Sequence, residues 1–212
     1  MTRGRFIAFE GGEGMGKSTQ ARLLADWLQR DGVTVELTRE PGGTPGAEAI
    51  RNLLLSPPGE GWTPEAEALL FAAARADHVA RRIRPALDAG SWVVCDRFID
   101  SSRAYQAIAG GLGDDKVSQL HRIGSAGLLP DLTLLIDAPN DAVAARLAKR
   151  DGDTSDAIGG RAADYHAAVN AAFRDFANTE PDRFAVIDGS GSIEEVHQQV
   201  VAAISQRFEV TA

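Results

Sequence analysis

The amino-acid pattern predicts an α/β fold: a doubly wound, five-stranded parallel sheet with helices on both faces. Two observations predict it. Strand-like apolar runs and helix-like amphipathic runs alternate along the chain, which implies right-handed crossovers between parallel strands. None of the strand-like runs alternates cleanly between apolar and polar residues, as expected where a sheet is covered on both faces.

The first run is Phe6–Phe9, followed by Glu10 and a glycine-rich stretch. A helix is predicted over Ser18–Arg30, where Ala21, Leu24, Ala25 and Leu28 form one apolar stripe and Asp31-Gly32 closes the last turn. Val33–Leu37 is the second strand. Pro64–Ala89 is alanine-rich, reads as one long helix and stops at Gly90. Trp92–Cys95, Leu132–Ile136 and Phe184–Ile187 supply the third, fourth and fifth strands, and Asn140–Lys149, Ala162–Ala177 and Ile193–Phe208 supply further helices. Asp151–Gly160 is polar and contains glycine, and it reads as a mobile surface loop. With no internal repeat and no linker, residues 1–212 are expected to form one domain.

Composition sets the outer bounds. A chain of 212 residues with 44% hydrophobic and 25% charged residues is ordinary for a soluble globular protein. Its net charge of −8 argues against a general binder of nucleic acid or of anionic membranes. Among the 22 basic residues only Lys17, Lys116 and Lys149 are lysine; arginine is the better planar fork for phosphate. Cys95 is the single cysteine, which excludes an internal disulfide framework and a multi-cysteine metal site. No apolar run approaches the ~20 residues of a membrane helix, and Met1-Thr-Arg-Gly-Arg5 leads into the first strand without a signal peptide. The expectation is a soluble, cytoplasmic protein.

Gly11, Gly12, Glu13, Gly14, Met15, Gly16, Lys17 and Ser18, followed by Thr19, fit G-x-x-x-x-G-K-[ST] between a predicted strand and a predicted helix. Glycines let backbone N–H groups curl around phosphate oxygens, and the helix adds its positive N-terminal end. Lys17 is placed to reach the β- and γ-phosphates of a nucleoside triphosphate, and the Ser18 hydroxyl to ligate Mg²⁺. The fold is therefore expected to be of the P-loop NTPase type. Three classes compete: a small-molecule kinase, a GTP switch and an ATPase serving a partner. No asparagine precedes a lysine, so the N-K-x-D guanine reader is missing, and no adjacent acids close a strand. Asp96-Arg97 closes the third strand instead. Asp96 is suited to orient Mg²⁺ directly or through water, and Arg97 to reach ligands at the carboxyl edge of the sheet; a surface ion pair is the plainer reading of the same two residues.

The chain resembles the thymidylate kinase family from Phe6 to about Asp188. The resemblance rests on Glu10–Thr19, Thr38-Arg-Glu-Pro-Gly-Gly-Thr44 with Glu48-Ala-Ile-Arg51, Phe71-Ala-Ala-Ala-Arg75, and Asp96-Arg-Phe-Ile-Asp-Ser-Ser-Arg-Ala-Tyr-Gln106. It implies transfer of the ATP γ-phosphoryl group to dTMP with Mg²⁺, and a homodimer. It also implies roles for the matching side chains. Phe71 would stack on the thymine, although a core aromatic is equally in keeping with the pattern. Arg75 would donate to a thymine carbonyl, or be a solvated helix charge. Ser102 and Gln106 would read the remaining base edge, with Ser101 beside them, and Tyr105 would crowd the sugar. Arg51 and Arg97 would clamp the 5′-phosphate as planar forks. Glu13 and Glu40 stand where the family places carboxylates near the sugar or the metal and its waters, and Pro41-Gly42-Gly43 also suits a tight turn. Another or broader nucleoside-monophosphate kinase, or a non-catalytic nucleotide-binding regulator, remains open.

The acceptor phosphate of a monophosphate has a second pKa near ~6 and is largely dianionic at neutral pH, so its attack needs alignment rather than a general base. His78, His121, His166 and His197 fall in no motif, in keeping with that, and are expected to be structural or solvent-facing. The resemblance further implies an arginine over the transferring phosphoryl group, from the phosphate loop or from a lid near 146–161. The variable loop positions hold Glu13 and Met15, so the lid is expected to supply it, with Arg150 as the candidate beside Arg146 and Lys149. Asp156-Ala-Ile-Gly159 departs from the family's Asp-Arg-hydrophobic-Glu run; Ala157 stands where an arginine is usual, and Arg161 is the alternative.

Overall fold

The computed structural model describes residues 3–139 and 157–208. Among them, β1 (Phe6–Glu10), β2 (Val35–Arg39), β3 (Trp92–Asp96), β4 (Leu132–Asp137) and β5 (Phe184–Asp188) form one parallel sheet in the order β2-β3-β1-β4-β5. The two-residue period of a strand explains how its apolar runs are used. Ile7 and Phe9 enter a core shared with Leu24, Leu28, Val200 and Ile204, whereas Phe6 and Ala8 enter the opposite core with Val79, Ile83, Leu87 and Phe98. All five residues of β1 are buried, so it is covered on both faces as predicted. The edge strands β2 and β5 depart from that expectation, with Val186 of β5 59% exposed, because an edge strand has fewer neighbours to cover it.

Helices α1 (Lys17–Arg30), α2 (Pro45–Leu55), α3 (Pro64–His78), α4 (Arg84–Asp88), α5 (Ile99–Ser102), α6 (Asp114–Ser125), α7 (Ala163–Thr179) and α8 (Ile193–Phe208) flank the sheet. The predicted second strand begins two residues later than expected. Val33 N–H donates to Leu28 O at 3.0 Å and Gly32 N–H to Gln29 O at 3.1 Å, so these residues close α1 before the strand starts.

The single helix expected over Pro64–Ala89 is interrupted by a wider π-helical turn at Val79–Ile83. Pro85 follows that turn and has no N–H to donate to the preceding one, which favours a local change of hydrogen-bond pattern there. Sequence reading also passed over α2, the α5 segment with its π-helical continuation Arg103–Ala109, and α6. The Thr44-Pro45 start of α2 was a legible signal: Thr44 Oγ1 accepts from Ala47 N–H at 3.2 Å, with proline in the first turn. The helix expected over Asn140–Lys149 lies outside the described residues. No helix among the described residues is long and apolar enough to cross a membrane.

Candidate active site

Three strand ends meet at the carboxyl edge of the sheet. β1 runs into the phosphate loop, β2 into Glu40-Pro41, and β3 ends at Asp96 with Arg97 behind it. Gly11 has φ +135°, and a Cβ there would stand 2.4 Å from Ile136 O, so only glycine fits where the loop turns off β1 beside β4. Met15 is the loop residue whose side chain goes inward, to 2% exposure in the core, leaving its backbone to the loop. Lys17 is buried and donates from Nζ to Gly12 O. Burial, with Arg97 nearby, lowers its ammonium to about 8, while Asp96, Glu13 and Glu10 oppose the shift. The group is thus still mostly a cation at neutral pH, and phosphate oxygens would hold it so.

Ser18 Oγ donates to Asp96 Oδ2, and Asp96 Oδ1 is buried with no hydrogen-bond partner among the described residues. A buried, unpaired carboxylate oxygen next to a hydroxyl is a set of hard donors of the kind Mg²⁺ takes.

Arg97 has a left-handed backbone (φ 69°), unusual for a side-chain-bearing residue, and its N–H donates to Phe9 O at 2.9 Å. That turn carries the guanidinium back over the loop. Nη1 donates to Gly11 O at 3.0 Å and to Ser101 Oγ at 3.1 Å; Nη2 donates to Glu13 Oε1 at 2.8 Å and to Tyr105 Oη at 3.3 Å. Ser101 is set in turn by Glu10, which accepts from Phe98 N–H at 2.7 Å, Ser101 N–H at 3.1 Å and Ser101 Oγ at 2.6 Å. Burial, aided by the Asp100 charge, raises the Glu10 carboxyl to about 7, against the pull of Arg97 and its hydrogen bonds.

Helix α3 brings the second half of the site. Glu67, Phe71 and Arg75 recur every four residues and so share one face. Phe71 borders the cleft, which decides against a purely core aromatic. Arg75 is no solvated helix charge: at 3% exposure it donates from Nε to Glu40 Oε2 at 2.7 Å and from Nη2 to Ser102 Oγ at 2.8 Å and Phe98 O at 3.2 Å. Glu40 Oε1 accepts from His78 Nδ1 at 3.0 Å, and His78 Nε2 lies 2.7 Å from Thr38 Oγ1. A carboxylate can only accept, so Nδ1 carries a proton and donates to Glu40, while Nε2 shares a hydrogen bond with the threonine hydroxyl. His78 is therefore a buried brace for Glu40, as the structural expectation allowed. Its spacing of three residues from Arg75 was the signal that linked it to the site. Gly43 (φ +91°) leaves room for it, since a Cβ there would stand 2.5 Å from His78 Nε2.

These elements enclose one open cleft of about 500 Å³. Glu13, Gly14, Gly16, Lys17, Ser18, Thr19, Glu40, Pro41, Arg51, Phe71, Asp96, Arg97, Ser101, Tyr105 and Gln106 all line it. Arg51 Nη1 donates to Pro41 O at 2.7 Å, and Gln106 Nε2 to Glu67 Oε1 at 2.8 Å. Gly11, Gly12 and Met15, and Arg75 and Ser102, are not among the lining residues; the last two are joined to each other by a hydrogen bond. Sequence reading had given no role to Arg22, Arg39, Leu55 and Ile158, which complete the lining. Arg146, Lys149 and Arg150 lie outside the described residues. Arg161 pairs with Glu67 and donates to Tyr165 Oη, so its guanidinium is engaged against α3.

With this geometry in place, comparison with known proteins is decisive. A family profile described as thymidylate kinase matches residues 9–200. This chain belongs to the thymidylate kinase family. It is 55% identical over 202 residues to the thymidylate kinase of Rhizorhabdus wittichii, covering 95% of this chain and 97% of that one. It is 48% identical over 209 residues to the thymidylate kinase of Chromohalobacter salexigens, covering 98% of each. The crystal structure of thymidylate kinase from Ehrlichia chaffeensis superposes with a TM-score of 0.78 at 34% identity, covering 95% of this chain and 99% of that chain. The five-stranded parallel sheet flanked by helices is the fold shared with that thymidylate kinase.

Proposed function

We infer that the chain is an ATP-dependent dTMP kinase, moving the γ-phosphoryl group of ATP to dTMP to give dTDP and ADP. The observation that carries the residue assignments is that the phosphate loop, the Asp96-Arg97 pair, and Phe71 with Gln106 all open into one cleft. Donor phosphates, acceptor phosphate and base can then lie in line.

In this reading the loop N–H groups from Gly11 to Thr19 and the Lys17 ammonium hold the β- and γ-phosphates. Arg97 and Arg51 grip the 5′-phosphate of dTMP. Both forks are held beforehand, Arg97 by Glu13, Gly11 O and Ser101 and Arg51 by Pro41 O, which lowers the entropy lost on alignment. Phe71 stacks on the thymine, Arg75 donates to its carbonyl with Ser102 and Glu40 fixing the guanidinium, and Gln106 addresses the remaining edge. Tyr105, whose hydroxyl donates to Glu13 at 3.4 Å, crowds the sugar. Ser18 and Asp96 fit Mg²⁺, directly or through water, because Asp96 Oδ1 is a buried acceptor with no partner among the described residues. Held by Ser18 and Asp96, Mg²⁺ would neutralise part of the phosphate charge. The phosphate of dTMP is its own nucleophile, so no general base is assigned. Arg150 is proposed, from the sequence, as the charge over the transferring group.

Residues 1–212 are read as one kinase domain acting in the cytoplasm, where its nucleotide substrates are. A homodimer is proposed too: Leu69 and Ile123, 55% and 76% exposed on the helices α3 and α6, offer apolar surface to a second copy. An ADP-release assay across dTMP, dUMP, dGMP, dCMP and AMP, with and without a chelator, tests the activity. Preference for dTMP and loss on chelation support it; turnover of AMP or dGMP as fast as dTMP would overturn it. Light scattering of the eluted protein tests the dimer.

A further inference from the structure

Glu67 has no role in the account so far, yet it touches two of its parts. One oxygen, Oε2, pairs with Arg161, the first charged residue after the 140–156 segment; the other, Oε1, accepts from Gln106 Nε2 at 2.8 Å. Its side chain is 13% exposed, and Gln106 is 4% exposed, so the contact is shielded from competing water. Chemistry fixes the orientation of the amide at this contact. An ionised carboxylate only accepts, so the amide must present its NH₂ to Glu67 and turn its oxygen elsewhere. That oxygen accepts none of the hydrogen bonds among the described residues, and Gln106 lines the cleft next to Phe71.

We propose that Glu67 is a positioning residue that locks the Gln106 amide with its oxygen toward the base, so that the site selects a pyrimidine carrying an N3–H donor and rejects one with an N3 acceptor. The proposal rests on the reading of Phe71 and Gln106 as the base end of the cleft. Thymine offers N3–H to the amide oxygen. Cytosine offers a lone pair, and a locked amide cannot turn its NH₂ to meet it without facing its own oxygen against the Glu67 carboxylate. The pairing with Arg161 holds the Glu67 carboxylate in place. A site built around a fixed acceptor discriminates by leaving the wrong partner facing a buried group of like polarity.

The test uses the full chain with Glu67→Gln, which keeps shape but can both donate and accept, so that the Gln106 amide is free to turn. Gln106→Ala and the double variant complete a cycle. Kinetics with dTMP and inhibition constants for dCMP are measured, with melting curves as a check on folding. Expected is a fall of about tenfold in the preference for dTMP over dCMP in Glu67→Gln, seen as a higher KM for dTMP and tighter dCMP binding, with kcat at saturating dTMP within about twofold. In the Gln106→Ala background the Glu67 substitution should change the preference no further. If Glu67→Gln keeps the parental preference while Gln106→Ala loses it, Gln106 reads the base unaided and the proposal fails. The proposal also fails if Glu67→Gln shifts the preference equally in both backgrounds. If Gln106→Ala itself leaves the preference and the KM for dTMP unchanged, the base-pocket reading beneath the proposal is what has failed.

Discussion

Arg75 is the residue whose test the structure changes most. Its guanidinium is 3% exposed and shares Glu40 with a fully buried His78. Truncation to alanine would take the guanidinium from the buried Glu40 carboxylate and leave it only His78 as a side-chain partner. Breaking a buried pair in that way costs about 3–5 kcal/mol, a large part of the ~5–15 kcal/mol that holds a domain folded. An alanine variant would thus confound folding with base recognition. Arg75→Lys keeps a cation beside Glu40 but has no second nitrogen for Ser102 Oγ and Phe98 O, which lie 2.8 and 3.2 Å from Nη2. Loss of those two bonds lowers stability without leaving Glu40 unpaired, and the melts read that loss apart from activity. The lost donor to thymine should cost about 1.5–3 kcal/mol in kcat/KM for dTMP, roughly 10- to 150-fold. The assay follows ADP release with dTMP varied at saturating ATP and with ATP varied at saturating dTMP, alongside thermal melts. The loss should fall on KM for dTMP and leave KM for ATP nearly unmoved. A lysine variant that melts lower but keeps wild-type kcat/KM for dTMP, or that loses equally on both substrates, would show Arg75 to be purely structural.

Lys17→Ala should lower kcat by about 10²-fold or more, through loss of the ammonium that donates to Gly12 O in the loop; near-normal turnover would remove the phosphate-loop assignment. Arg150→Ala should likewise lower kcat by about 10²-fold at saturating ATP while ATP binding changes little, because a charge over the transferring group acts mainly on the transition state. Arg161→Ala, engaged with Glu67 and Tyr165, should spare kcat by comparison, and the reverse result would move the role to Arg161. Glu10 gives a pH prediction. Its carboxyl is raised from 4.5 to about 7 in the fold, so its stabilising effect is complete below about 4.5 and is lost as pH rises through 7. Over that window wild type should lose on the order of 3 kcal/mol relative to Glu10→Gln. Parallel pH–melting profiles for the two proteins would contradict a protonated Glu10.

The sequence by itself determined the sheet and the phosphate loop. Five apolar runs, each four or five residues long, and the G-x-x-x-x-G-K-S pattern between the first of them and an amphipathic stripe are local signals, written in side-chain period and glycine placement. They survive folding because the inner strands β1, β3 and β4, buried on both faces, and a loop that must take positive φ admit few other residues. Segments whose local pattern was dominated by motif residues, such as Ile99–Ala109, hid their helices: polar positions there serve the site, and they break the apolar stripe from which a helix is read.

Tertiary structure decided which partners each charged residue meets. Arg75 read equally well as a base reader or a solvated charge, since its partners Glu40, Phe98 and Ser102 lie 23 to 35 residues away along the chain. Glu10 and Ser101, 91 residues apart, meet only because β1 and β3 are neighbours in register and end at the same edge. His78 and Glu67 gave no motif at all, although both sit at helical spacing from Phe71 and Arg75. The reason is physical. Periodicity is fixed by the backbone geometry of a single element, whereas a buried ion pair needs two elements whose ends the sheet order brings together, and a local stretch of residues does not encode that order.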